Sequence, residues 1–164
     1  VQNISQDGIS ANITFTISQK DFDLTKSVIE QNRNSLNYKS LSLDKNVAKI
    51  LRWANENELF TISLCHGPGA FLSTALDDRE FLYKGYNMAV FPDSVDNKTP
   101  MIGYLPGKMP YGVSEKLKTL GVNLMNTKMD KTVCVDRRLI TGASPLASNE
   151  LGKLAAKTVL NELN

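Results

Sequence analysis

The 164 residues include 41% hydrophobic side chains, enough to bury the core of one domain, and 22% charged side chains that nearly cancel to a net charge of +2. Lys and Arg alternate with Asp and Glu, so neither a nucleic-acid-binding basic block nor a solvating acidic tail is expected, and no apolar run is long enough to span a membrane. Two cysteines make no disulfide framework and point to reduced thiols in a cytoplasm; with a single histidine, they also argue against a structural zinc site.

Residues 1–11 are polar and read as a loop or frayed end. Ile13, Phe15 and Ile17 alternate with threonines, the period of a half-buried strand. Ser18 or Asp21 is placed to cap a helix running to about Gln31, and 33–42 is polar and irregular. Asp44 is a suitable N-cap for a helix ending near Asn57, with Val47, Ile50, Leu51 and Ala54 on one face. The run 60–64, FTISL, reads as a buried strand broken by Gly67 and Pro68, after which AFLSTAL reads as a helix. YNMAVF, 86–91, is a second buried-strand candidate. SEKLKTLG reads as helical, VNLMN as extended, and KTVCVDRRLITG as a strand pair or a strand and turn. Ser144-Pro145 opens the last helix with Pro at its first position, and Leu151, Leu154, Ala155, Val159 and Leu163 form its stripe. Helices alternating with short apolar strands predict an α/β fold with a largely parallel sheet.

The chemistry gathers at TISLCHGPGAF, 61–71, where the only histidine, His66, adjoins Cys65. A strand that stops in a small-residue turn and enters a helix has the layout of a nucleophile elbow. Such a turn holds a side chain above the carboxyl edge of the sheet, near a helix N-terminus that favours thiolate and backbone amides that can hold an oxyanion. Histidine titrates nearest neutral pH, so Cys65 and His66 are candidates for an activated nucleophile and its base. Neighbours in a regular strand point to opposite faces, so the turn must break that alternation for the pair to meet. The loop FPDSVDNKTP after the next buried strand offers Asp93 and Asp96, either of which could orient the imidazole. The alternatives are a core cysteine, a structural histidine and aspartates of a turn. Cys134 reads as structural, Trp53 as packed on a helix flank, Arg137 and Arg138 as a solvated pair, and the methionines as core filler.

LCHGP, FPDSVD, IGYLPG and TGASPLASNELGKLA together resemble the HchA-type branch of the ThiJ/PfpI superfamily, along a stretch from about Asp44 to Leu163. The resemblance implies a flavodoxin-like, class I glutamine amidotransferase-like sandwich, with 1–43 a divergent or truncated N-terminal segment and 44–164 the C-terminal part of the domain. It implies Cys65 as nucleophile, His66 as base and Asp96 as orienting acid, with Asp93 a turn residue. It further implies glutathione-independent conversion of 2-oxoaldehydes such as methylglyoxal to 2-hydroxy acids, deglycation of early glycation adducts, and a holding-chaperone activity on unfolded proteins. No cofactor is expected. The superfamily's name also admits a cysteine amidase or peptidase. The family's N-terminal half carries a glutamate that hydrogen-bonds the cysteine, a Gly-Gly-His-Gly turn and metal ligands. The residues here before Asp44, NRNSLNYKSLSL, carry no such turn, and no residue is assigned to the glutamate or to a metal. A homodimer, or completion by a separate N-terminal polypeptide, is therefore expected, the alternative being an impaired holding chaperone or partner-binding remnant.

Overall fold

Asp44 begins the helix that covers the outer side of the fold. In the computed structural model, which describes residues 41–98 and 111–163, its carboxylate accepts hydrogen bonds from the amides of Asn46 at 2.7 Å and Val47 at 3.3 Å. Two of the donors that a helix start leaves unpaired are thereby satisfied. The helix, α1, runs Lys45–Glu56 after a 3₁₀ turn at Leu41–Leu43. Val47, Ile50, Leu51 and Ala54 are each partly buried, and α1 packs against a 3₁₀ segment, Gly67–Ala75. Arg52 pins the two together, Nη2 donating to the carbonyls of Thr74 at 2.6 Å and Glu80 at 2.8 Å. The strand expected at 13–17, the helix expected over 18–31 and the IGYLPG stretch at 102–107 lie outside the described residues.

Three strands form one sheet in the order β1 (Thr61–Leu64), β5 (Leu139–Gly142), β4 (Val133–Asp136). β1 runs parallel to β5, from Thr61 opposite Leu139 to Leu64 opposite Gly142. β4 and β5 are the antiparallel arms of a hairpin whose two linking residues are Arg137 and Arg138. Central β5 is buried throughout, and its alternation divides the core. Leu139 joins Phe71, Tyr83, Met88, Val90 and Leu117 on one side. Ile140 joins Leu151 and Ala155 on the other. The latter two belong to α4 (Ser148–Leu163), whose entry is the 3₁₀ turn Pro145–Ala147 capped by Ser144 Oγ on the Leu146 amide at 3.2 Å. Pro145 thus stands in that turn rather than in the first turn of the α-helix. Leu154 and Val159 are partly buried along the expected stripe.

The expected strand 86–91 is buried along its length, yet only Asn87–Met88, β2, pairs as a strand, parallel to β3 (Asn123–Leu124). The reason lies in its amides. Those of Asn87, Ala89 and Val90 donate to side chains, namely Asp136 Oδ2 at 2.7 Å, Thr141 Oγ1 at 2.8 Å and Asn126 Oδ1 at 3.0 Å. Side-chain acceptors satisfy the run where a ladder would otherwise do so. Among the described residues the sheets are therefore small and one is mixed, although both β1–β5 and β2–β3 are parallel. Two more helices complete the description, the single turn α2 (Asp93–Asp96) and α3 (Val113–Thr119).

Arg137 and Arg138 reach solvent as expected, their side chains 53% and 37% exposed, and both are also engaged by neighbours. Arg137 sits 3.5 Å from the Tyr86 ring centroid and pairs with Asp136 at 2.8 Å, and Arg138 lies over Phe60 and pairs with Glu162. Their planar guanidinium groups lie over aromatic faces while still pairing with a carboxylate. Met88 is core filler, fully buried, whereas Met125 and Met129 are exposed. No helix among the described residues is long and apolar enough to cross a membrane. Leu117, 0% exposed at the centre of the larger cluster, gives a direct test of the core. Leu117→Ala is expected to cost about 2–5 kcal/mol, read as a lowered midpoint at unchanged slope in urea unfolding.

Candidate active site

β1 ends against two hydrogen bonds that fix Cys65. Its amide donates to the Gly142 carbonyl at 2.8 Å and its carbonyl accepts from the Phe91 amide at 3.0 Å. Between them the residue takes φ 63°, a left-handed conformation that costs a side-chain-bearing residue about 1–2 kcal/mol. Two residues on, Gly67 leaves room for Ser63 Oγ, which a Cβ there would meet at 2.5 Å and displace.

The left-handed turn breaks the strand alternation. Consecutive side chains therefore meet, with Cys65 Sγ 3.2 Å from His66 Nδ1. His66 Nε2 stands 2.9 Å from both oxygens of Asp96. The imidazole lies against Phe91, ring centroids 4.4 Å apart, and Asp96 is only 4% exposed. With Nε2–H donating to the carboxylate, Nδ1 is left as the acceptor that faces the thiol. The three residues named from the sequence are thus brought into one hydrogen-bonded chain.

Asp93, the other aspartate considered, is turned away. Its carboxylate accepts from the amides of Ser114 at 3.0 Å and Glu115 at 2.8 Å, and so caps α3 in place of Gly112, which has no side chain to do it. A Cβ on Gly112 would run into the Asp93 carboxylate. Ser114 Oγ donates to the Phe91 carbonyl at 2.7 Å, and Asn126 bonds Val90 through both its oxygen and its nitrogen, at 3.0 and 2.9 Å. Sequence reasoning missed this supporting set. The one signal for it was a helix start, GVSE, without a capping side chain of its own.

The helix after the elbow also departs from expectation. It begins at Gly67 and is 3₁₀ over nine residues, long for that geometry. Thr74 Oγ1 donates to the Phe71 carbonyl three residues back at 2.8 Å, reinforcing the tighter period. The electrostatic balance at the sulfur differs too. Burial pushes the Cys65 thiol up, the His66 backbone N–H pulls it down, and the Asp96 charge pushes it up again, for a net rise. Burial outweighs the backbone N–H donor, and His66 Nδ1 stands 3.2 Å from the sulfur as an acceptor for its proton. Cys134 is half-buried in β4 with Sγ 3.5 Å from the Asn87 carbonyl, and burial raises its thiol as well. Among the described residues no group of three His, Cys, Asp or Glu side chains could hold a metal, so no step is assigned to one.

The raised thiol sets the sign of a pH test. A thiol above its ordinary range carries less thiolate at any pH below that value. His66→Ala should therefore slow alkylation of Cys65 by iodoacetamide at neutral pH by about tenfold or more, with the rate recovering only above pH 9. The strained backbone is tested separately: Cys65→Gly should be more stable than Cys65→Ala by about 1 kcal/mol in chemical unfolding.

No protein-family model matches the chain. The protein/nucleic acid deglycase HchA of Escherichia coli O1:K1 is 47% identical over 116 residues, which is 71% of this chain and 40% of that relative. The same protein of Escherichia coli strain K12 aligns with the same identity and coverage. The chain therefore spans 40% of the length of these curated relatives. The crystal structure of glyoxalase III from Candida albicans shares the fold, with a TM-score of 0.53 at 20% identity over 71% of this chain and 51% of that one. Another crystal structure, of a protein without a functional name, superposes with a TM-score of 0.62 at 20% identity over 73% of this chain and 52% of the other. Over its matched stretch the chain is a homologue of the HchA deglycases.

Proposed function

We propose that this chain carries the nucleophile, base and orienting acid of a glutathione-independent glyoxalase III-type enzyme, acting on methylglyoxal and related 2-oxoaldehydes. The observation that carries the reading is the Cys65–His66–Asp96 chain, with links of 3.2 and 2.9 Å, at a left-handed turn after β1. The likeness to HchA deglycases and to a glyoxalase III supports it.

The steps follow from the geometry. His66 Nδ1 takes the Cys65 proton, and the thiolate adds to the aldehyde carbon. Protonation of the former aldehyde oxygen gives a hemithioacetal. The imidazole removes the hydrogen on that carbon, giving an enediol, and a proton delivered to the neighbouring carbon gives a 2-hydroxy thioester. Water cleaves the thioester, releasing a 2-hydroxy acid such as lactate and restoring the thiol. One carbon is oxidised and its neighbour reduced, so the reaction balances with water alone. Asp96 holds the imidazolium formed along the way. Reversal of early glycation adducts on proteins would use the same hemithioacetal chemistry. The reading places the protein in the cytoplasm, as a homodimer or completed by a separate N-terminal polypeptide, within a flavodoxin-like sandwich to which 1–43 contribute a divergent or truncated segment. A separate half would supply the missing glutamate and glycine turn.

One observation favours a second reading, an impaired enzyme that acts as a holding chaperone for unfolded proteins. Burial and the Asp96 charge leave the thiol raised, which weakens it as a nucleophile.

The test is methylglyoxal consumption without glutathione. Wild type should release lactate, Cys65→Ala should lose the activity entirely, and Asp96→Asn should lower turnover by about 10²-fold or more. Absence of turnover in wild type, with suppression of client aggregation retained in Cys65→Ala, would give the second reading its support.

A further inference from the structure

We infer that a second, polar site, built to take a phosphate group, lies in the cleft between α1 and the loop that follows the elbow segment. It is a cavity of about 70 Å³, the scale of one small oxyanion, and Lys45, Lys49, Arg52 and Arg79 all line it. The charge there is unbalanced. Asp77 is the one carboxylate in the lining, and Lys45 takes it at 2.9 Å. Glu80 contributes only a carbonyl, to Arg52. Among the described residues this leaves Lys49, Arg52 and Arg79 lining a small cavity with no further carboxylate in its wall.

A second observation is independent of that charge. Among the described residues, the buried side-chain nitrogen and oxygen atoms without a hydrogen-bonding partner are Arg52 Nε and Ser73 Oγ. Both residues line this same cavity, and Ser73 is 0% exposed. A buried polar atom without a partner costs about 1–3 kcal/mol, more when charged. Two in one cavity, one of them on a guanidinium, are explained together by an oxyanion that accepts from both. Arg52 cannot turn away to solvent, because its Nη2 is committed to the Thr74 and Glu80 carbonyls. The loop is shaped to match. Asp77 and Asp78 both take left-handed backbone, φ 60° and 55°, and the turn carries Arg79 to the cavity rim. A tetrahedral dianion suits a site with several donors in different directions and an excess of positive charge better than a planar carboxylate does.

The probes are inorganic phosphate and glycerol 3-phosphate, each compared with sodium chloride at matched ionic strength, with thermal unfolding as the readout. Phosphate should raise the wild-type midpoint saturably, by about 5 °C or more at a hundredfold excess over its dissociation constant. Stabilisation by both probes assigns the site to phosphate monoesters, and stabilisation by inorganic phosphate alone assigns it to the free ion. Lys49→Gln combined with Arg79→Gln, both exposed side chains, should weaken binding at least about tenfold. Ser73→Ala should weaken it several-fold while leaving the midpoint in chloride unchanged or higher, since an unpaired hydroxyl is removed. Equal midpoints in phosphate and chloride, or full phosphate stabilisation of the double variant, would overturn the inference.

Discussion

The active-site geometry rests on two backbone hydrogen bonds to one residue. The Gly142 carbonyl takes the Cys65 amide, and the Phe91 amide takes the Cys65 carbonyl. The first bond continues the parallel pairing of β1 with β5 by one step. The second ties the end of β1 to the buried run that follows β2. Held from both sides, Cys65 has no extended conformation open to it and adopts φ 63°. The positive φ then forces His66 onto the same side as the thiol. A regular strand would have put the imidazole on the opposite face, where no proton could pass between the two. The strain of the turn is thus the direct cause of the Cys–His contact, and the surrounding sheet over-determines it.

Burial and ionisation oppose each other at this site. The packing that holds the turn also desolvates the sulfur and lifts its thiol. A thiol in that position is a poor nucleophile unless charge is created and neutralised locally. The imidazole is placed for this at 3.2 Å from the sulfur, with the nearly fully buried Asp96 carboxylate 2.9 Å from its far nitrogen. Asp96 raises the thiol through its charge, yet it also orients the His66 ring. The second effect acts through a direct hydrogen bond to the ring and the first across the ring. Under the proposed function the arrangement is a relay whose middle member is the only histidine of the sequence.

Much of this was legible in the sequence, because the relevant signals are local. Asp44 followed by apolar residues at helical spacing gave α1 and its cap, and FTISL running into Cys-His-Gly-Pro gave β1 and the elbow. KTVCVDRRLITG resolved into a hairpin because Arg137 accepts a left-handed φ of 55° at the link. What was not legible depends on partners distant in sequence. YNMAVF has the composition of a strand, but the side chains of Asp136, Thr141 and Asn126, some 36 to 52 residues away, take its amides and end the ladder after two residues. The 3₁₀ form of 67–75 is reinforced by the Thr74 hydroxyl on the Phe71 carbonyl, a bond that helical spacing alone does not announce. Nor could spacing alone choose between Asp93 and Asp96, which stand three residues apart and serve different partners; the choice came from the family resemblance.

Those two aspartates show how the support is economised. α2 is a single turn, too short to be stable alone. Its first residue, Asp93, reaches out to the amides that open α3, and its last, Asp96, reaches back to His66. Ser114, whose amide Asp93 caps, returns a hydrogen bond to the Phe91 carbonyl, and Phe91 is both the residue whose amide pins Cys65 and the ring against the imidazole. The loop of contacts closes on itself, from Cys65 through Phe91, Ser114, Asp93 and α2 to Asp96 and His66. Gly112 belongs to it because only a residue without a Cβ leaves room for the Asp93 carboxylate at the start of α3. A one-turn helix anchored at both ends in this way can hold a carboxylate against an imidazole without a long scaffold of its own, so the orienting acid is positioned by α3 as much as by the strand that precedes it.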